Sequence, residues 1–321
     1  MKQFAKPKVA VAKVEAQLLK SAREFFDKHD YTEVVVPHVT RATGACENID
    51  TLFGLNYFGK QGYLTQTGQL YLESLIPDLK NVFCIGPSFR AEPRVDNRHL
   101  TEFTLVEIEL PCGFNELLDH IEELTTQMVF GVAENCKEEL EFLGVQAEKL
   151  KGIKNNFQRI SYTFAIEKLK EQGFEIGWGD DLKSKHEAKL VELNNNNPVF
   201  ITHFPKAIKF FNMKENDSDS SIVNSADLIL PVSGEAVGSA EREHRHDHMV
   251  RRLKESFMLK QLEKRGGSID DFSWYLNLIK DKSNIPHSGC GIGLNRITQF
   301  VTNASDIRDT TTFPLNKETM V

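Results

Sequence analysis

Residues 104–110 read TLVEIEL. Val106, Ile108 and Leu110 alternate with Leu105, Glu107 and Glu109, a period of two with one apolar side and one mostly acidic side. Successive side chains of a strand point to opposite faces, so this segment must be a strand covered by core on one side only. NVFCIG (81–86) is a second apolar strand, and FRAEPRVDNRHLTEF (89–103) joins the two. The pair reads as an antiparallel hairpin with a long connection. YTEVVVP (31–37), PVFITHF (198–204), SADLILP (225–231) and SGCGIGL (288–294) are further strands. Val14, Leu18, Ala22 and Phe25 recur at helical spacing and predict a helix over about 9–28. Leu117, Ile121, Leu124 and Met128 predict another near 115–134, with Asn115 as its N-cap. Shorter helices are expected from Gly68 and over ITQFVT (297–302). Strands pairing back on themselves, with helices packed on them and no βαβ alternation, predict an α+β fold: an antiparallel sheet flanked by helices.

The 321 residues suffice for one large domain or two ordinary ones, and 40% apolar residues supply a core. A net charge of −7 leaves no footprint for non-specific nucleic-acid binding, although a local basic groove is compatible with it. The five cysteines include no CxxC spacing, so neither a zinc site nor a disulfide framework is signalled, and a reduced cytoplasmic setting is expected. Neither a signal-peptide core nor an apolar run of membrane-spanning length occurs, so no membrane association is expected. NNNN (194–197) and NDSDSS (216–221) are loops.

Four clusters carry chemistry. Arg90, Arg94, Arg98 and His99 crowd the hairpin connection. Guanidinium groups match carboxylate and phosphate bidentately, and Phe103 can stack on a flat ring. Arg90 and Glu92, two apart, are expected to share one side of a strand. A solvated loop with internal ion pairs is the plain alternative. Gly289, Gly291 and Gly293 alternate, leaving one strand face bare for a flat ligand or for close packing, and Arg296 follows. Asp227 and Glu235 flank the turn PVSG and are either unrelated acids or a pair suited to Mg²⁺ on a polyphosphate. Gln69, Leu72 and Glu73 share a helix face that can read a small polar ligand. In EREHRHDH (241–248), His244 and His248 stand four apart, but the segment reads as a charged, solvated helix rather than a metal site.

Together these segments resemble class II aminoacyl-tRNA synthetases. FRAE…RHLTEF resembles their motif 2, GIGLNR their motif 3, and the first helix with YTEVVVP their motif 1, whose proline marks a dimer-forming strand. The resemblance is strongest to the asparaginyl members of the aspartyl/asparaginyl/lysyl subgroup. It runs from about residue 9 to 314 through GYLTQTGQLYLES, VFCIGPSFRAE, FPKAIKFF, GEAVGSAERE, IPHSGCGIGL and IRDTTTFP. It implies a class II synthetase fold over 1–321, a homodimer, and ATP with Mg²⁺ as cofactors. Arg90 then holds the α-phosphate and the amino-acid carboxylate, Glu92 the adenine edge, and Phe103 stacks beneath the base. Arg98, His99 and Arg296 hold the outer phosphates, and Asp227 and Glu235 the Mg²⁺. Glu47 and Gln69 hold the ammonium group and Arg242 the side-chain oxygen. No nucleophilic residue is required: the amino-acid carboxylate attacks phosphorus in line, and Arg90 and Arg296 act by positioning and charge neutralisation.

Leu72 stands where aspartyl enzymes carry lysine, and Glu107 where they carry aspartate, so asparagine is expected over aspartate. Few residues precede the first helix, so an N-terminal anticodon-binding domain is expected to be absent and tRNA to be an open question. The acceptor is then tRNA or another molecule. The alternatives are an aspartate-activating, ammonia-using asparagine synthetase and a non-catalytic regulatory or tRNA-binding paralogue. Asn295 (usually Glu), Leu315 (usually Arg), and Asn48 and Ile49 (usually Gly) depart from the family pattern.

Overall fold

The structure, a computed structural model, describes residues 6–41, 49–153, 156–282 and 285–319. Its strands are β1 (Thr32–Glu33), β2 (Val39–Thr40), β3 (Gly54–Tyr57), β4 (Lys60–Leu64), β5 (Val82–Phe89), β6 (Glu102–Leu110), β7 (Gln158–Ser161), β8 (Val199–Thr202), β9 (Ser225–Leu230), β10 (Gly234–Glu241) and β11 (Ser288–Gly293). Eight of them form one sheet in the order β1-β5-β6-β11-β10-β9-β8-β7, and β2-β4-β3 form a small second one. The large sheet is antiparallel except at its edges, where β1 joins β5 and β7 joins β8 in parallel. The α+β expectation is met.

The alternation in β6 decides how the layers stack. Val106, Ile108 and Leu110 enter a core with Cys290 and Ile292 of β11 and with Leu228 and Leu230 of β9. Helices Lys6–Lys28, Phe114–Asn135 and Leu294–Thr302 cover that face, contributing Leu18 and Phe25, Leu117 and Met128, and Ile297 and Val301. The opposite face carries Glu107 and Glu109. A second apolar cluster, built on Phe211, Leu253, Phe272 and Tyr275, walls one side of that face. No described helix is long and apolar enough to cross a membrane.

Two local expectations fail. YTEVVVP is not a full strand: Thr32 and Glu33 pair with Val82 and Phe83, Val34 adds one bond to Phe83, and the ladder stops. This segment is an edge with a partner on one side, and Pro37 has no N–H to extend it. Asn115 is not a cap. The helix starts at Phe114 after an extended Gly113 without a side-chain cap, because Phe114 is itself buried in the core. Packing of that ring outweighs the capping preference of the next residue.

Candidate active site

Strand register builds the centre of the open face. Ile201, Asp227, Gly238, Gly291, Glu107 and Cys84 stand opposite one another across β8, β9, β10, β11, β6 and β5. Directly opposed residues point to the same side, so two glycines lie between two acids. A Cβ at Gly291 would meet nothing nearer than Glu107 Cγ at 3.8 Å, and one at Gly238 nothing nearer than Glu235 Oε1 at 3.6 Å. The chain's own packing does not require either glycine, so the bare floor is free for a flat ligand. Gly289 differs: its Cβ would fall 2.1 Å from the Glu109 carboxyl carbon and 2.3 Å from Ile108 O. That glycine makes room for Glu109, not for a ligand, so at Gly289 the close-packing alternative holds.

The cations gather at one end of this floor. Arg90 lies over the Phe103 ring, 5.5 Å from its centroid. Arg296 Nη2 donates to Arg98 O at 2.9 Å and its Nη1 to Ser233 O, tying the hairpin connection to the β9–β10 turn. Burial, and then the neighbouring Arg98 charge, lower the Arg296 pKa to about 10, so it stays cationic at neutral pH. Arg98 Nη2 donates to Glu187 Oε2 at 2.8 Å, in a pair with little solvent contact. Glu187 belongs to helix Ser184–Leu193, and the same oxygen accepts from Glu235 N at 3.4 Å. His99 is exposed and bonded to Asp96. Glu92 is half-buried but does not share a strand with Arg90: β5 ends at Phe89, and Glu92 N folds back onto Arg90 O at 2.7 Å. The spacing argument for that pair fails because the chain bends where the ladder ends.

Asp227 and Glu235 flank Gly238 on one side of the sheet, as the register and the 3.6 Å Glu235 approach show. Lys209 Nζ holds both Asp227 oxygens, at 3.1 and 2.9 Å. Two carboxylates on the same side of the floor are oxygen donors of the kind a Mg²⁺ would take. No group of three or more metal-ligating side chains occurs among the described residues. EREHRHDH is part strand: β10 runs to Glu241 and the helix begins at His246, so His244 and His248 do not share a helix face.

The other end of the floor is buried and charged. Arg242 grips Glu109 through Nε at 3.0 and 3.2 Å and through Nη2 at 2.6 Å. Burial pushes the Glu109 carboxyl up, against the pull of the guanidinium. Glu107 accepts from Thr67 Oγ1 and from Gly68 N (2.7 Å), anchoring the turn that starts helix Gln69–Glu73. Burial pushes its carboxyl up. Leu72 is fully buried among Val36, Ile76, Val82 and Cys84. Gln69 does not stand alone: its Nε2 donates to Glu73 Oε1 at 2.7 Å. Asn295 links Thr104 N to Thr310, and Leu315 pairs with Glu102, so both departures have structural partners. Glu47 and Asn48 lie outside the described residues, and with them the expected contact of Glu47 with the ammonium group.

Sequence reading missed Glu187, Lys209, Glu109 and His287. Glu109 had a signal, since it shares the acidic side of β6 with Glu107. The others had none, because each meets its partner from a distant segment.

The family model "tRNA synthetases class II (D, K and N)" matches residues 4–317. The Asparagine--tRNA ligase of Desulforamulus reducens is 38% identical over 309 residues, 95% of this chain and 68% of that protein. That of Pyrococcus abyssi is 40% identical over 313 residues, 96% of this chain and 69% of that protein. The structure of asparaginyl-tRNA synthetase from Pyrococcus horikoshii complexed with asparaginyl-adenylate superposes with a TM-score of 0.90 at 35% identity, covering 98% of this chain and 70% of that one. With a matching sheet, an arginine-rich motif 2 hairpin and a glycine floor between acids, the chain belongs to the class II tRNA synthetases of the D, K and N group.

Proposed function

We propose that the chain activates asparagine with ATP and transfers it to tRNA. An asparagine carboxylate oxygen attacks the α-phosphorus, the bond to the β-phosphate oxygen breaks, and pyrophosphate leaves, giving asparaginyl-adenylate. Arg90 stacked on Phe103 suits a nucleotide whose base lies on Phe103 and whose α-phosphate meets the guanidinium. Arg98, His99 and Arg296 face the outer phosphates, Glu92 the adenine edge. Asp227 and Glu235 would hold Mg²⁺, which supplies charge neutralisation on the leaving pyrophosphate. Catalysis rests on fixed cations where charge develops, not on a nucleophile.

The observation that carries the choice of amino acid is the Arg242–Glu109 pair. A guanidinium already gripped by a carboxylate has little net charge left for a second one, yet its Nη1 edge can still donate to an amide oxygen. Leu72 offers no second cation, and Glu107 would repel a carboxylate while accepting from an amide NH₂. An aspartate side chain would be underpaired in a buried site, at a cost on the order of several kcal/mol. Relatives that carry the name Asparagine--tRNA ligase support the same choice and make tRNA the expected acceptor. Pyrophosphate exchange measured against all twenty amino acids tests the reading. Exchange with asparagine, well above aspartate, is the expected result, and none with asparagine would sink it.

A further inference from the structure

Lys209 is a largely buried cation of the floor with no part in the proposed reaction. Its Nζ lies 3.1 and 2.9 Å from the two Asp227 oxygens. Only 8% of the lysine and 10% of the aspartate side chain meet solvent, so water screens the pair little. The ammonium also lies 4.1 Å from the centroid of the Phe204 ring, which is buried with Tyr162, Ile166 and Ile201. The turn that carries Lys209 is pinned on both sides. Val223 N donates to Phe204 O at 3.0 Å, and Lys206 N to Ser221 O at 2.8 Å. Lys206 Nζ pairs with Glu215 at 3.1 Å. The chain therefore delivers a fixed positive charge to Asp227.

Any divalent cation held by Asp227 and Glu235 has to share Asp227 with that charge. Each carboxylate oxygen has two acceptor sites, so Asp227 can bind on the side of Glu235, which is exposed. A Mg²⁺ bonded to either Asp227 oxygen at about 2 Å lies no more than about 5 Å from the ammonium. Like charges that close repel strongly where little water intervenes. Two carboxylates against one ammonium leave these three groups a single net negative charge, a weak attraction for a divalent ion. The phosphates of a bound nucleotide reverse that balance, because they bring further negative charge and further oxygen ligands.

We propose that Lys209 is a built-in counter-ion of the metal site. It neutralises Asp227 while the site is empty and holds down the affinity for a divalent cation, so that metal enters only together with the nucleotide. This rests on the reading that Asp227 and Glu235 take Mg²⁺. Lys209 acts through Asp227 and is a positioning residue. Lys209→Met keeps the stem over Phe204 and deletes the charge, whereas Lys209→Arg keeps the charge. A purely structural ion pair predicts lost stability in Lys209→Met with no gain in metal binding.

The test is titration of the whole 321-residue chain, stripped with EDTA, with Mn²⁺. Free Mn²⁺ is read by electron paramagnetic resonance, beside melting temperatures in EDTA and in Mn²⁺. Without nucleotide, Lys209→Met is expected to bind Mn²⁺ about tenfold or more tightly than wild type, and Lys209→Arg within about twofold of it. The Lys209→Met melting temperature is expected to fall by roughly 5 °C or more in EDTA and to recover about half of that in Mn²⁺. If Lys209→Met does not fold, Lys209→Gln, which keeps a donor for Asp227 without the charge, carries the test. The gain must vanish when Asp227→Asn is added, and a gain that persists overturns the proposal. Equal, Asp227-dependent affinities in Lys209→Met and wild type overturn it and leave the metal reading standing. No Mn²⁺ binding in any of these proteins overturns it as well, and the metal reading then depends on whether pyrophosphate exchange requires Mg²⁺ and Asp227.

Discussion

At the residue scale, the arginines of the hairpin connection have different partners. Arg90 rests on an aromatic ring, whereas Arg98 is held by the Glu187 carboxylate. That carboxylate stands where a terminal phosphate oxygen of ATP is proposed to go, so ATP and Glu187 compete for one guanidinium. Removing the charge without the volume releases Arg98. Glu187→Gln is expected to lower the KM for ATP roughly three- to tenfold and to cost about 1 kcal/mol of stability, the scale of a partly buried ion pair. ATP titration of the exchange reaction checks it, and a raised KM would mean that Glu187 aims Arg98 instead of competing for it. The sequence showed the arginine cluster but not this pairing, because Glu187 is 89 residues away and reads as one acid in a polar helix.

At the element scale, β11 separates packing from function within three residues. Gly291→Ala puts a methyl into open space over the floor, so the fold is expected to keep its stability within about 1 kcal/mol. The same methyl occupies the ligand's place, and exchange activity is expected to drop about a hundredfold. Gly289→Ala drives a methyl into Ile108 O and the Glu109 carboxyl, and neither backbone nor a carboxylate clamped by Arg242 can move aside. About 3 kcal/mol or more of stability should be lost through overpacking and a disturbed buried pair. Thermal melts and exchange rates on both variants decide it: equal melting temperatures would contradict the assignment. The alternating glycines were legible in the sequence, but Gly238, which completes the floor, belongs to a strand joined by register alone.

At the scale of the whole molecule, the first helix carries a partly buried carboxylate. Burial raises Glu15 from 4.5 to about 7, with Lys8 opposing. As pH rises from 4.5 to 7, the unfolded chain loses this proton while the folded chain keeps it, so folding stability falls through that window and stays lower above it. Glu15→Gln removes the effect and is expected to be more stable than wild type above pH 7, by at most ~3 kcal/mol. Urea unfolding at pH 5 and pH 8 measures it, and identical pH slopes for the two proteins would count against it. Core placement was largely readable beforehand. Val14, Leu18, Ala22 and Phe25 of this helix are all fully buried, as their spacing required.

What the sequence determined by itself is whatever depends on near neighbours. The period of two in β6, the helical periods and the motif segments specify element type, core face and family, because each is a pattern among residues a few positions apart. Only the tertiary structure decided which charge meets which. Glu73 takes donors from residues 139, 202 and 214 positions away, and strand register sets Gly238 and Gly291 between Asp227 and Glu107. Hydrogen bonds and ion pairs act over a few ångströms of space without regard to distance along the chain. The shape of a binding site built from them is therefore settled by the fold.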